Sequence, residues 1–241
     1  MKHLSVVLAF LVLAVPFLSV AGSASKVPAS IAVSSSLGVQ EDTYVDENIP
    51  DEFFGDAGDM VVSSWVGGNT RAYIRFASIG HSFDVIDASL QILRDGTFPF
   101  SGTRVHQASR VTSDWAEGTL TWNTQPSITS VGRANVTVDL SVSLKWELWD
   151  VTEIVSAWDG GGANFGFSIR DSAEDSVTPK GAAYYTKEAS EPPIQDAKLF
   201  VNWTRPSILP VSIEGFLGLI GFLVIVVGGL TLIAIWARSR E

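Results

Sequence analysis

Between about residue 38 and residue 205, apolar and polar side chains alternate with a period of two, the pattern that a β-strand with one buried face imposes. Ala72, Ile74 and Phe76 fall on one side of a strand and Arg71, Tyr73 and Arg75 on the other. Ala88, Leu90 and Ile92 repeat the pattern, and Val136, Val138 and Leu140 oppose Asn135, Thr137 and Asp139. Phe165, Phe167 and Ile169, then Leu199, Val201 and Trp203, complete the set of expected inward faces. Turn-forming clusters such as Asp56-Ala57-Gly58-Asp59 and Asp95-Gly96 separate the runs, so the expectation is an all-β, antiparallel two-sheet sandwich. One segment departs from the period. Val151, Ile154, Val155 and Trp158 recur at helical spacing, Asp150 and Glu153 suit a capping box, and Gly160-Gly161-Gly162 stops the run. One short helix over 151–158 is predicted, with Trp158 plugging an end of the sandwich.

The two ends of the chain are apolar. Lys2 and His3 precede Leu4–Leu18, and the small residues Ser19, Ala21, Gly22 and Ala24 come next, the layout of a secretory signal peptide over 1–24. Gly215–Ala237 carries no charge, and as a helix at 1.5 Å per residue it would reach about 34 Å, enough to cross a bilayer. Arg238 and Arg240 stand after it and Glu214 before it, which places the C-terminus inside and the domain outside. The expected order is then a flexible leader over 25–38, a domain over 39–204, a stalk over 205–214 with Pro206 and Pro210, the span over 215–237 and a tail over 238–241. The bilayer is an expected partner through that span.

The chain has no cysteine and three histidines (His3, His81, His106), which excludes thiol nucleophiles, disulfides and multi-His zinc sites. Its net charge of −10 argues against nucleic acid and anionic lipid surfaces, both of which need a positive face. Asp114 and Glu117 flank Trp115 in a manner that suggests a glycosidase acid and base, but nothing in a sequence sets two carboxylates across a cleft, and no catalytic residue is assigned.

Taken in order, several motifs resemble one family. Asp42-Thr43-Tyr44-Val45-Asp46, with Asn48, Pro50 and Gly55, reads as its opening strand and loop, and Arg71–Phe76 as its Arg-x-x-Leu-x-Phe strand. Trp115-Ala116-Glu117-Gly118-Thr119-Leu120-Thr121-Trp122-Asn123, followed by Gln125-Pro126, is similar to its Trp-x-Glu-x-x-x-Thr-Trp-Asn signature. Trp149-Asp150-Val151-Thr152, Trp158 and Asn164-Phe165-Gly166 resemble the second signature, and Glu188-Ala189-Ser190 fits the closing region. Phe53-Phe54-Gly55, Pro192-Pro193 and Ala197-Lys198-Leu199 depart from the usual pattern. The family is the DNRLRE domain family, classed as carbohydrate-binding module family 96, with a jelly-roll fold related to the prodomains of transforming growth factor β. The resemblance implies a surface or secreted module that binds polysaccharide in some members and serves as a structural spacer in others. It also makes Glu117 a partner of loop amides.

For ligand contact, the outward row Arg71, Tyr73 and Arg75 offers two guanidinium groups and a ring, suited to a carboxylated sugar; Arg104 and His106 share a face of the strand expected over 103–108, and Arg170 lies outward of Phe165, Phe167 and Ile169. The bland alternative is that these arginines pair with neighbouring acids and guard sheet edges. Asp42, Asp46, Asn48 and Asp51 form an oxygen-rich stretch that would suit a structural Ca²⁺, although its spacing matches no EF-hand. Asn135-Val136-Thr137 and Asn202-Trp203-Thr204 are glycosylation sequons. The expected function is a non-enzymatic, membrane-anchored extracellular carbohydrate-binding module contacting anionic polysaccharide or cell-envelope material. The alternative is a structural spacer or adhesion domain with protein partners.

Overall fold

The computed structural model describes residues 30–78, 84–190 and 196–206. Among them are ten strands and one α-helix: β1 (Ser30–Asp46), β2 (Asp59–Ser64), β3 (Thr70–Phe76), β4 (Asp84–Phe98), β5 (Thr103–Val111), β6 (Ile128–Asp139), β7 (Lys145–Asp150), α1 (Thr152–Asp159), β8 (Phe167–Asp171), β9 (Lys180–Tyr185) and β10 (Lys198–Pro206). The all-β expectation with one short helix is what the structure shows. The two separate sheets are not: antiparallel ladders close a ring β1–β10–β4–β9–β2–β3 back to β1, β7 adds to β4, and β8, β5 and β6 continue from β3. Among the described residues no helix is long and apolar enough to cross a membrane. The expected span over 215–237 and the signal segment over 1–24 lie outside the described residues.

Two long strands close the ring. The first half of β1 pairs with β10, from Ser30↔Pro206 to Gly38↔Lys198, and the second half pairs with β3, with a register shift between Val39 and Glu41. β4 does the same, pairing with β10 through Gln91 and with β9 from Arg94 onward, with its shift between Arg94 and Gly96. A bulge of this kind bends a strand and lets it pass from one layer to the other. Two expectations are corrected here. Residues 30–38, read as the end of a flexible leader, are strand, because Val33, Leu37 and Val39 carry a half-buried alternation through a serine-rich stretch. Asp95-Gly96, read as a turn, is the bulge inside β4.

Ala72, Ile74, Phe76, Ala88, Leu90, Ile92, Val138, Leu140, Phe167, Ile169, Leu199, Val201 and Trp203 all enter the main core, as their alternation requires. Phe165 does not. Gly166 takes φ +82° between it and Phe167, which turns Phe165 toward a second apolar cluster on the other side of the sheet. Helix α1 buries Ile154, Val155 and Trp158 against β4 and β6. Asp150 Oδ1 accepts the Thr152 amide at 3.1 Å and its hydroxyl at 2.6 Å, so the aspartate takes the first helical donor from the end of β7. Glu153 completes no box; its methylenes lie against Gly132 of β6.

Candidate functional site

The sequence expectation puts the outward row of β3 in solvent. Instead the segment between β5 and β6, which carries the Trp-x-Glu signature, folds over it. Val45, Tyr73, Val111, Trp115 and Leu120 form a second buried cluster, with Trp122, Ile128 and Phe165 packed at its margin. Tyr73 is only 2% exposed, its ring 5.8 Å from that of Trp115 and its hydroxyl donating to Gln125 Oε1 at 2.9 Å. It therefore offers no face for a sugar. Arg75 donates to Asp114 at 2.6 Å, to Glu41 and to the Trp115 carbonyl at 3.1 Å. Arg71 grips Glu174 through two bonds of 2.7 Å, reaches Gln125 at 3.0 Å and lies 4.4 Å over the Trp122 ring.

Arg104 makes a two-pronged pair with Asp171 at 2.5 and 2.6 Å and donates to the Ala173 carbonyl. His106 is in the core rather than on an open face: its Nδ1 meets the Tyr184 hydroxyl at 2.8 Å. Burial, with Arg104 and Arg94 adding to it, pushes the imidazole pKa down to about 3.

What remains open lies on the far side of β3, on the outward faces of β8, β5 and β6. The register Ala72↔Ile169 sets Arg71 beside Arg170, and Arg170↔Gln107 and Gln107↔Asn135 continue the same row across the sheet. Arg71, Arg170 and Gln107 are partly exposed and Asn135 is exposed. Arg133 borders the row and donates to Ser109 at 3.1 Å. The Arg170 guanidinium makes no hydrogen bond or ion pair with any described residue, although its backbone belongs to the β8 ladder. Partial burial lowers its pKa first; Glu174 opposes this, and the like charges of Arg71 and Arg133 add to the lowering. Alternation already puts Arg71, Arg170 and Asn135 outward, but it misses Gln107 and the row itself, because the members sit on four strands that are adjacent only once the register is known. A pocket of about 140 Å³ lined by Arg110, Val111, Thr112, Gly162, Ala163 and Phe165 is too small for a sugar chain, since ligand clefts run to about 300 Å³ and more.

The expected cation loop does not converge. Asp46 Oδ1 accepts the Asn48 amide at 2.8 Å, and Asp51 Oδ1 takes the Asn123 side-chain amide at 2.8 Å. Asp42 is buried elsewhere, with carboxylate oxygens of Asp42, Glu117 and Glu188 within 4.8 Å of one another. The chain supplies the cation itself: the Lys187 ammonium contacts Glu117 and Glu188 and lies 3.6 Å from Asp42 Oδ1. Glu117 Oε1 accepts the Asp42 amide at 3.1 Å, a backbone amide of strand β1 rather than of a loop. Asp42 Oδ2 accepts the Lys187 amide at 3.0 Å.

Burial raises the Asp42 pKa to about 8, with Glu188 adding to it. The folded state therefore holds a proton on Asp42 that the unfolded chain has lost above about pH 4, and stability falls as pH rises from about 4 to 8. His106 acts oppositely, since only the unfolded chain protonates it between about pH 6.5 and 3, so its contribution rises with pH over that window. The two offset each other between about pH 4 and 6.5, and of the two only Asp42 acts above that. Thermal unfolding of Asp42→Asn should show a Tm that no longer falls between pH 6.5 and 8. A fall as steep as in the parent protein would show that Asp42 is not the group responsible.

Of the two sequons, Asn135 stands exposed on β6, whereas the Asn202 side chain donates to Asp87 at 2.8 Å and accepts from Ser34.

Across 195 residues, 75% of this chain, the sequence is 25% identical to tRNA3(Ser)-specific nuclease WapA of Bacillus spizizenii. It is 24% identical over the same extent to tRNA nuclease WapA of Bacillus subtilis strain 168. The chain spans only 8% of the length of these relatives. The model of carbohydrate-binding module family 96 matches residues 33–201, which takes in β3, β8, β5, β6 and the loop that covers Tyr73. By that match, the chain belongs to carbohydrate-binding module family 96.

Proposed function

We propose that this chain is a non-enzymatic carbohydrate-binding module, held outside the cell by the segment 215–237, that takes an anionic polysaccharide along the row Arg71, Arg170, Gln107 and Asn135. The observation that carries the reading is Arg170, a partly buried guanidinium without an ion-pair partner among the described residues, on a chain of net charge −10. Neighbouring strands are about 4.8 Å apart, so one sugar carboxylate can sit between Arg71 and Arg170 and accept from both. The Gln107 and Asn135 amides, next along the row, would donate to the hydroxyls of the next sugar. Membrane display rests on the uncharged run ahead of Arg238 and Arg240. The absence of catalysis rests on Asp114 and Glu117, whose carboxylates are engaged by Arg75 and by Lys187.

A second reading, a structural spacer, draws on Arg71, Arg75 and Arg104, each already paired with an acid. Binding of the purified full chain to polygalacturonate, polymannuronate and hyaluronate separates the two. Arg170→Ala should weaken binding about tenfold, the net of a charge-assisted contact after desolvation, and added salt should weaken the parent protein more than the variant. No affinity for any of the three polymers would leave the spacer reading in place.

A further inference from the structure

The turn from β2 to β3 carries an exposed indole on a fixed base. Gly67 takes φ +74°, the Gly68 amide donates to the Trp65 carbonyl at 3.1 Å, and the indole of Trp65 lies against Gly68. A Cβ at Gly68 would stand 1.9 Å from ring atoms Cε2 and Nε1, so only glycine lets the ring rest on the backbone. Even so, 38% of Trp65 stays exposed, and its indole N–H meets no acceptor among the described residues. Val66, next to it in the chain, and Val177, next to the Ser176 whose carbonyl holds the Val66 amide, are 66% and 95% exposed.

The base under the ring is held by hydrogen bonds. Asn69, 3% exposed, accepts the Trp65 amide at 3.3 Å and the Asp175 amide at 3.0 Å, and its own side-chain amide donates to Glu47 at 2.7 Å and Asp175 at 2.8 Å. The Val66 amide donates to the Ser176 carbonyl at 3.1 Å, and the Ser64 hydroxyl to the Ala173 carbonyl at 2.9 Å. The segment that carries Ala173, Asp175 and Ser176 also carries Glu174, the partner of Arg71. The indole and the arginine row are thus tied to one loop.

We infer that Trp65 is a stacking platform for a pyranose ring, a second contact for the polysaccharide proposed above, on which this inference rests. A ring supported on one side and open on the other suits the flat apolar face of a sugar, and the indole N–H remains for a ring hydroxyl. A protein partner fits less well: one indole and two valines, beside the polar Glu47, Asp175 and Ser176, fall far short of the roughly 800 Å² per partner that a specific interface buries. Joining a stacking contact to a charged one on the same polymer raises affinity beyond either alone.

The test uses the purified full chain with the tightest-bound of the three acidic polymers and with the same polymer after its carboxylates are reduced to alcohols. Trp65→Ala is expected to weaken binding to both about tenfold, with no dependence on salt, while Trp65→Phe stays within about threefold of the parent protein. Arg170→Ala weakens binding to the acidic form alone. If Trp65→Ala binds as the parent does while Arg170→Ala is weakened, the platform is wrong and the carbohydrate reading stands. If the parent binds neither form of any polymer, both readings fall. Should Trp65→Ala not fold, Trp65→Leu replaces it: equal affinity for the Leu and Phe variants overturns the platform, and a tenfold gap in favour of Phe supports it.

Discussion

Replacing Arg94 by Met is expected to destabilise the fold by about 3–5 kcal/mol, the cost of leaving one charge of a buried pair without its partner. Arg94 and Glu147 are both essentially inaccessible to solvent, on neighbouring strands β4 and β7, with Nη2 and Oε1 3.1 Å apart. Arg94 also donates to the Asp139 carbonyl at 2.6 Å, and Glu147 meets the half-exposed Lys145 at 3.4 Å. With Arg94 gone, Glu147 keeps, among the described residues, only the half-exposed Lys145 ammonium, and the Asp139 carbonyl loses the Arg94 donor. The double change Arg94→Met with Glu147→Leu should recover a large part of the loss, because apolar groups of similar volume replace a buried pair at little cost. Denaturant unfolding with an unchanged slope is the measurement. A single-variant loss under 1 kcal/mol, or a double variant no better than the single, would show that the pair does not control the stability of this layer.

The second large effect is expected at Trp158. Trp158→Ala should cost about 3–5 kcal/mol, as truncation of a buried large aromatic does. Its ring stands edge-on to Phe167 at 4.9 Å and is 2% exposed, in the contact that seats α1 on the core. The indole nitrogen is buried without an acceptor among the described residues, so Trp158→Phe removes an unsatisfied donor while keeping most of the apolar contact, and should cost less than about 1.5 kcal/mol. A Phe variant as unstable as the Ala variant would mean that the indole N–H has a partner and that volume is not what the site needs.

The two replacements differ in how visible their sites are in the sequence. Trp158 declares itself through the stripe Val151, Ile154, Val155 and Trp158, because helical spacing is a local property. Arg94 does not: a charged residue beside Asp95-Gly96 reads as turn chemistry, and only the passage of β4 from β10 to β9 draws it inside. The same division runs through the candidate site. Alternation correctly puts Arg71, Tyr73 and Arg75 on the face of β3 away from the main core, but a period of two says nothing about what covers that face. Trp115 and Leu120 do, from a segment with no period at all. Arg170 is legible as outward-facing, yet its neighbours Arg71 and Gln107 are set by antiparallel register between strands distant in sequence. Asp42 stands out in the sequence as an acid in a motif, but its company is invisible there: Glu117 and Lys187 are 75 and 145 residues away.

The pairing of Ser30 with Pro206 has a mechanical consequence. The described chain enters and leaves its domain at the same rung of the β1–β10 ladder, so tension applied between the chain before Ser30 and the chain after Pro206 pulls two antiparallel strands apart from their shared end. The rungs then open one after another instead of resisting together in shear. Under load the fold yields first along Ser30–Gly38 and Lys198–Pro206, while the ladders between β3, β8, β5 and β6, which hold the arginine row, stay off the line of force.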